Sequence, residues 1–305
     1  MWYHDGRNVI HLYPTTSGIT PDNQPAPDHA AGDGWRVYID GVQRMVETGM
    51  DQAAIRHAAD LLGRAHSAVA ITGAGISTPS GIPDFRGPDG AWKHVDPSEV
   101  ASLHNFLRNP RAFYDWFRPL LDRVLTAAPN AAHYALAALE QHRTLRAIIT
   151  QNFDGLHQRA GSREVYELHG HLRTATCPEC ERQIPTQALL PRIRRGEPPR
   201  CTCGHPLKPD VVLFDEMLPR GLYWLARRAV ERADVIIVAG TSLEVFPVND
   251  LPALGLRHGA KLIIINNGPT YLDGRAETVI RGDVAIVLPE LVRQTTGAHL
   301  LERSR

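Results

Sequence analysis

Residues 70–92, AITGAGISTPSGIPDFRGPDGAW, constrain this chain more than any other stretch. They include five glycines (Gly73, Gly75, Gly81, Gly87, Gly90) and three prolines (Pro79, Pro83, Pro88). A segment so rich in both cannot continue as a regular helix or strand. The apolar run Ala68–Thr72 reads as a buried strand that breaks at Gly73. Beyond Gly73 the chain forms a long shaped loop at the carboxyl end of a strand, where open α/β sheets bind ligands. Gly73 and Gly75 would let the backbone approach a pyrophosphate, beside the free N–H groups of a following helix. Thr78 stands where the full dinucleotide fingerprint has its third glycine, so a glycine-rich surface loop with no ligand is the alternative. Asp84, Phe85 and Arg86 add an acid, an aromatic face and a cation.

The rest of the chain supplies the sheet. A helix is expected from Asp51 to about His66, with Ile55, Ala58, Ala59 and Leu62 on its inner face. Residues 97–125, with Phe106, Phe113, Trp116 and Phe117, read as a small group of helices over the loop, their aromatics in a core. Asn130 caps a helix to about His142, on which His133 reads as a packed or exposed histidine. Strands are expected at 146–150, ending in the polar residues 151–155, and at 165–168, which delivers His169 and Gly170. The α/β pattern resumes at residues 211–214, then a helix at 221–232 that buries Leu222, Leu225, Ala226 and Ala229. Strand Val235–Ala239 runs into GTSLEVFPVNDLP, and the last clear strand, 262–265, ends in Asn266 and Asn267. Strands apolar throughout, alternating with helices, predict a parallel sheet covered on both faces. Three of them end at Gly73, Gln151 and Gly240, as a nucleotide crevice requires.

Composition narrows the function. The chain has 305 residues, enough for one large domain or a domain with an insert. Lys plus Arg balance Asp plus Glu, 33 against 33, so no bulk field recruits nucleic acid or an anionic membrane. The sequence shows neither a signal-peptide pattern nor an 18-residue apolar run, and a cytoplasmic location with no membrane is expected. Residues 1–50 read as an N-terminal extension, poorly ordered, with linker composition over 15–33.

All four cysteines fall in one segment, as C-x2-C-x20-C-x-C: Cys177, Cys180, Cys201 and Cys203. Two close thiolate pairs match a closed tetrahedral zinc site, structural because no position is left for water. A redox dithiol at Cys177 and Cys180 is the competing reading, and it leaves the second pair unexplained. Arg192, Arg194 and Arg195 read as a solvated face of the same module.

Taken in order, GAGISTPSGIPDFRG, TQNFDGLHQRAG, ELHG, the paired cysteines, KPDVVLFDE, GTSLEVFP and IINN resemble the sirtuin family of NAD-dependent protein deacylases over roughly residues 52–292. The resemblance implies a Rossmann-type parallel sheet with helices on both faces, a small inserted zinc-binding module and a helical insert. The domain layout becomes a large part at about 51–92, 126–172 and 207–305, a helical insert at about 93–125 and a zinc module at about 173–206. The implied reaction consumes NAD, releases nicotinamide and moves the acyl group from lysine to ADP-ribose. Acylated proteins are the implied substrates, and one zinc ion the implied metal. Mono-ADP-ribosyl transfer to protein, a longer-chain or acidic-acyl deacylase, and a non-catalytic NAD sensor are the alternatives.

Residue roles are implied by the same resemblance. His169 is the base that activates a ribose hydroxyl, and Asn152 orients the ribose, with Gln151 beside it. Asp154 faces the nicotinamide carboxamide. Gly73, Ala74 and Gly75 meet the phosphates, Asp84, Phe85 and Arg86 close over the nicotinamide end, and Gly240, Thr241, Ser242 and Asn266 face the adenosine half. Val211, Val212, Leu213, Phe214, Asp215, Glu216 and Val245 are the expected peptide contacts. Four positions depart from the family pattern: Phe153 for Ile or Val, Asp215 for Gly, His171 for a small residue, and Cys201 shifted by one. Acidic-acyl relatives carry Tyr-x-x-Arg over the acyl pocket; here Tyr114 is followed by Phe117, with Arg118 one place late, which implies a neutral acyl group.

Overall fold

The computed structural model describes residues 51–297 except Arg86, Pro88, Asp89 and His94, together with four short strands among residues 2–43. The chain divides into two units, Met1–Gly49 and Met50–Arg305. In the first, β1 (Trp2–His4), β2 (Val9–Tyr13), β3 (Arg36–Ile39) and β4 (Val42–Gln43) pair antiparallel in sequence order. Ile10 pairs with Ile39 and Leu12 with Val37 in this register. Residues 15–33 lie outside the described residues.

The second unit is built on six parallel strands in the order β13-β12-β11-β5-β6-β7. These are β5 (Ala68–Thr72), β6 (Leu145–Thr150), β7 (Val165–Glu167), β11 (Val235–Ala239), β12 (Lys261–Ile265) and β13 (Thr278–Ile280). Every residue of β5 and β11 is buried, as a strand covered on both faces requires. On one face the core includes Ile55, Leu62, Leu136, Leu139, Val287 and Leu291. These come from α1 (Gln52–Gly63), α5 (Ala131–Gln141) and α10 (Val284–Thr296). On the other face, Ala226, Val230 and Leu251 come from α8 (Arg220–Glu231) and α9 (Asp250–Arg257). Strand order reverses between β5 and β11, so the crevice beyond their carboxyl ends is the ligand position of this architecture.

Two inserts hang from this frame. The helical one comprises α2 (Pro97–Val100), α3 (Leu103–Arg108) and α4 (Pro110–Thr126). Phe106, Phe113 and Phe117 fill its core, as expected, and Trp116 is half-buried against it. After the short α6 (Leu156–Arg159), the second insert is a three-stranded antiparallel sheet in the order β10-β8-β9, with one helix. Its elements are β8 (Gly170–Thr176), β9 (Gln183–Pro185), α7 (Thr186–Arg194) and β10 (Lys208–Val211). Among the described residues no helix is long and apolar enough to cross a membrane.

Three expectations are corrected. Residues 211–214 do not restart the parallel sheet: Val211 ends β10, paired antiparallel with Gly170. Leu225 on α8 is 40% exposed, and Val230 is buried on that helix beside Ala226. Strand β13, only three residues long, adds a sixth strand that the sequence pattern does not announce.

Candidate active site at the strand switch point

The loop after β5 does not open into a long helix. It forms two short 3-10 turns, Ala74–Ile76 and Thr78–Ser80. The amides of Gly75, Ile76 and Ser77 are spent on the carbonyls of Gly240, Gly73 and Ala74. The expected row of free N–H groups is therefore absent at these three positions. The glycines serve another purpose. A Cβ at Gly73 would sit 2.7 Å from Thr241 Cβ, and one at Gly75 would sit 2.8 Å from the Gly240 oxygen. Gly240 has φ +63, and its Cβ would meet the Ile76 nitrogen at 2.3 Å. Glycine here lets the loops after β5 and β11 interlock across the switch point.

That interlock brings side chains together. Asn152, 7% exposed, donates from Nδ2 to the Gly73 carbonyl and to Ser77 Oγ, both at 3.1 Å. Ser77 Oγ donates to Asp154 Oδ2 at 2.7 Å, and Asp154 Oδ1 accepts the Leu156 amide at 2.9 Å. Burial raises the Asp154 carboxyl above the usual carboxylate range, against the opposing pull of these two hydrogen bonds. Gln151 Nε2 donates to Thr241 Oγ1 at 3.0 Å, tying β6 to β11. Ser242 is half-buried next in the chain. Asn266, at the end of β12, donates its Nδ2 to the Gly268 carbonyl at 2.9 Å.

His169 stands between the parallel sheet and the antiparallel insert. Its Nδ1 lies 3.0 Å from the Gln151 carbonyl oxygen. A carbonyl only accepts, so the proton sits on Nδ1 and the basic lone pair on Nε2. The His169 carbonyl in turn accepts the Val212 amide at 2.9 Å. Gly170 comes next with φ +77, and its missing Cβ makes room for the Asp210 carbonyl, which a Cβ would meet at 2.1 Å. His169 and the expected peptide segment are thereby joined.

The segment itself is held from three sides. Leu213 donates to Glu216 Oε2 at 2.7 Å, and Lys208 Nζ reaches the same oxygen at 3.0 Å. Phe214 exchanges backbone hydrogen bonds with Ala101 and Leu103 of the helical insert, both at 2.9 Å. Asp215, exposed, has φ +69, the left-handed conformation that favours glycine and that Asp tolerates. This accounts for the residue type expected there. Val245 is half-buried, and its carbonyl accepts the Asn249 amide at 3.0 Å.

An aromatic wall connects these parts. Phe85 stacks on Trp92 at 5.2 Å, and Trp92 stacks on Trp116 of α4 at 4.8 Å. Phe153 meets Phe85 edge-on, and Phe214 meets Trp92 likewise, each at 6.2 Å. Phe153 is therefore part of the wall facing the loop. Asp84 is turned into its own loop, accepting the Gly87 amide at 2.8 Å. Arg86 lies outside the described residues.

The four cysteine sulfurs lie within 4.8 Å of one another, with three separations at 3.5 Å. Tetrahedral zinc with Zn–S near 2.3 Å would space them about 3.8 Å apart, so the set fits zinc. The shortened second pair still reaches the cluster because the chain turns tightly there: Gly204, at φ +93, donates to the Cys201 carbonyl. Backbone N–H groups pull two of the thiols toward thiolate: Cys180 and then Glu179 lower Cys177, and Cys203 lowers Cys201 to about 6. Against the pull of the His205 amide, burial and the three neighbouring sulfurs push Cys203 up to about 12. Arg192, Arg194 and Arg195 are solvated, with Glu197 and Asp122 as partners.

His133 and His157 carry no functional signal in the sequence, yet both are fully buried behind the site. Nothing short of their tertiary contact marks them.

Known proteins share this sequence and fold. A model of the Sir2 family matches residues 73–247. The NAD-dependent protein deacetylase of Sulfolobus acidocaldarius is 47% identical over 234 residues, spanning 76% of this chain and 92% of the relative. A solved structure described as the structural basis for the mechanism and regulation of Sir2 enzymes has a TM-score of 0.77 at 44% identity, covering 80% of this chain and 98% of its own. A Sir2 solved with deacetylated p53 peptide and 3′-O-acetyl ADP-ribose has a TM-score of 0.75 at 38% identity, covering 80% and 98%. Identity of this extent, on a fold shared over nearly the whole length of the solved relatives, means that this chain belongs to the Sir2 family.

Proposed function

We propose that the chain is an NAD-dependent protein-lysine deacetylase that passes the acyl group from lysine to ADP-ribose and releases nicotinamide. The observation that carries this reading is the His169–Gln151 contact, which puts the ring proton on Nδ1 and the basic lone pair on Nε2 beside the residues that follow β6. NAD and the acylated protein are the substrates. Nicotinamide leaves as a neutral base from a cationic ring, so no acid is needed to expel it. The acyl oxygen forms the new bond to ribose C1′ as the C1′–N bond breaks. What the protein supplies is alignment of a weak nucleophile, a proximity effect.

Asn152 fits the orienting role, because its carboxamide is pinned by two acceptors and keeps its Oδ1 to receive a ribose hydroxyl. Asp154 suits a carboxamide partner: it is buried and already anchored on Ser77 and Leu156. His169 Nε2 then takes a proton from a ribose hydroxyl, whose oxygen attacks the acyl carbon; the bond from that carbon to the lysine nitrogen breaks, the amine leaves with a proton, and one water adds to give the acyl ester of ADP-ribose. The amides of Val212, Leu213 and Phe214 are committed internally. The carbonyls of Val211, Leu213 and Phe214 already accept from Lys208 Nζ and from the Glu216 and Leu103 amides, so among the described residues a backbone-paired peptide has the Val212 carbonyl and the Val245 loop to use. The zinc proposed at the cysteines is structural and lies outside the reaction.

The acyl group is neutral in this reading. Tyr114 is buried and its hydroxyl is spent on the Leu207 carbonyl at 2.6 Å, while Arg118 turns toward Asp115. The test is a panel of acyl-lysine peptides assayed with and without NAD. Nicotinamide and free lysine should appear in equal amounts, faster from acetyl- than from succinyl-lysine. Deacylation without NAD, or a higher kcat/KM for succinyl-lysine, contradicts it.

A further inference from the structure

Behind Asn152 lie two histidines that the reaction does not use. His133 on α5 is 0% exposed and His157 on α6 is 1% exposed, with ring centroids 4.9 Å apart. His133 Nδ1 accepts the Asn130 amide at 3.2 Å, so its proton is on Nε2. His157 Nε2 lies 3.0 Å from Thr72 Oγ1, and Thr72 Oγ1 lies 2.9 Å from Thr150 Oγ1. Thr150 Oγ1 also accepts the Asn152 amide at 3.0 Å. Two ring nitrogens, His133 Nε2 and His157 Nδ1, are buried without a hydrogen-bond partner among the described residues.

These facts fix a consistent polarity. Thr72 donates its one hydroxyl proton to Thr150 Oγ1, so toward His157 it can only accept. The His157 proton is then on Nε2 and points at Thr72, whose hydroxyl turns onto Thr150. Every link runs toward the oxygen that holds the Asn152 amide. A second route starts from the same pair. Asn130, whose amide His133 receives, donates its Nδ2 to the Ile76 carbonyl and to Ser80 Oγ, each at 2.9 Å. That contact holds the loop whose Gly73 carbonyl and Ser77 hydroxyl anchor the Asn152 side chain. Asn152 is thus tied to the pair at its backbone and, through the loop, at its carboxamide. Burying two imidazoles is costly, and packing alone would be better served by apolar rings.

We propose that His157, backed by His133, is a positioning residue for Asn152, acting through Thr72 and Thr150 and touching neither substrate. The proposal rests on the reading of Asn152 as the ribose-orienting residue. His157→Phe keeps the ring volume and cuts the link at the histidine; Thr72→Val cuts it one step later and leaves both rings in place. Each variant should lower kcat/KM for NAD about tenfold per folded enzyme, with peptide KM within about twofold. In an Asn152→Ala background, His157→Phe should cause no further loss of the residual turnover, because residues acting through one another are not additive. Equal fold-losses in both backgrounds would overturn the proposal, as would unchanged kinetics per folded molecule. A readout independent of activity separates this from the functional reading. Hydrogen exchange at the Asn152 amide should quicken in both variants while β11 amides stay unchanged. If the wild type turns over no acyl-lysine, the functional reading fails alone and the exchange data still decide; exchange at Asn152 equal to wild type ends the proposal.

Discussion

The Nδ1 of His169 and the carbonyl oxygen of Gln151 lie 3.0 Å apart, and this contact puts the ring proton on Nδ1 and the lone pair on Nε2. The same carbonyl belongs to the residue before Asn152, so the base and the ribose-orienting residue proposed above are set by one turn of backbone. His169→Ala removes the base and leaves the loop interlock intact. We expect kcat to fall by about 10²–10⁴ with NAD affinity little changed, as for loss of a general base. Steady-state kinetics with NAD titrations check it, and turnover near wild type refutes the assignment.

The cysteine cluster predicts one zinc per chain. Cys177 is fully buried beneath the module, so its loss affects folding before chemistry. Cys177→Ser should lower Tm and solubility, and the fraction that remains folded should keep its kcat. Metal analysis of active protein showing no zinc would contradict this.

Asp215 and Glu216 part company in the structure. Glu216 is consumed by Lys208 and the Leu213 amide, leaving Asp215 as the exposed carboxylate of the pair. A Lys or Arg beside the acyl-lysine should gain a rim ion pair of about 0.2–1 kcal/mol there, fading with salt. Asp215→Gly and Asp215→Asn should both abolish the preference for basic-flanked peptides. Only Asp215→Gly should also stabilise the protein, by relieving the φ of +69. Matched Lys- and Glu-flanked peptides at low and high salt, with urea midpoints, test both halves.

Acid should unfold the protein partly through the buried pair. Burial pushes the His157 imidazole down to about 3, and burial followed by the charge of His157 lowers His133 well below its ordinary value. In the unfolded chain both titrate near 6.5. Below that pH the unfolded state binds protons that the folded state refuses, so stability falls as pH drops from about 6.5 toward 3. The slope is at most about 1.4 kcal/mol per pH unit per histidine. Urea midpoints at pH 7.5 and 5 should differ less in His157→Phe than in wild type; an equal difference speaks against the buried pair as the cause.

Legibility in the residues varies with range. β5 and β11 are readable to the residue, because strands buried on both faces are apolar throughout. The cysteines are readable because chemistry fixes their spacing. Residues 211–214 mislead because a short apolar run carries no periodicity. Their place is set by Gly170, far upstream, where the missing Cβ admits the Asp210 carbonyl. The glycines of the first loop stand out in the sequence, but the reason for them does not. Gly73 and Gly75 are required by Gly240 and Thr241, which approach only in the folded sheet. Leu225 fits an apolar helix face and is exposed because α8 packs through Ala226 and Val230. His133 and His157 are ordinary letters until β5, α5 and α6 meet.

Acyl transfer to ADP-ribose is the proposed reaction that unites His169, the crevice and the segment at 211–216, and a double-label experiment puts it to the question. The enzyme is incubated with NAD labelled in the adenine and a peptide labelled in its acetyl-lysine acyl group, and the products are separated. Both labels should appear on one small molecule, O-acetyl ADP-ribose, in amounts equal to the nicotinamide released. Adenine label retained on protein, or acetyl label released as free acetate without NAD consumption, would contradict it.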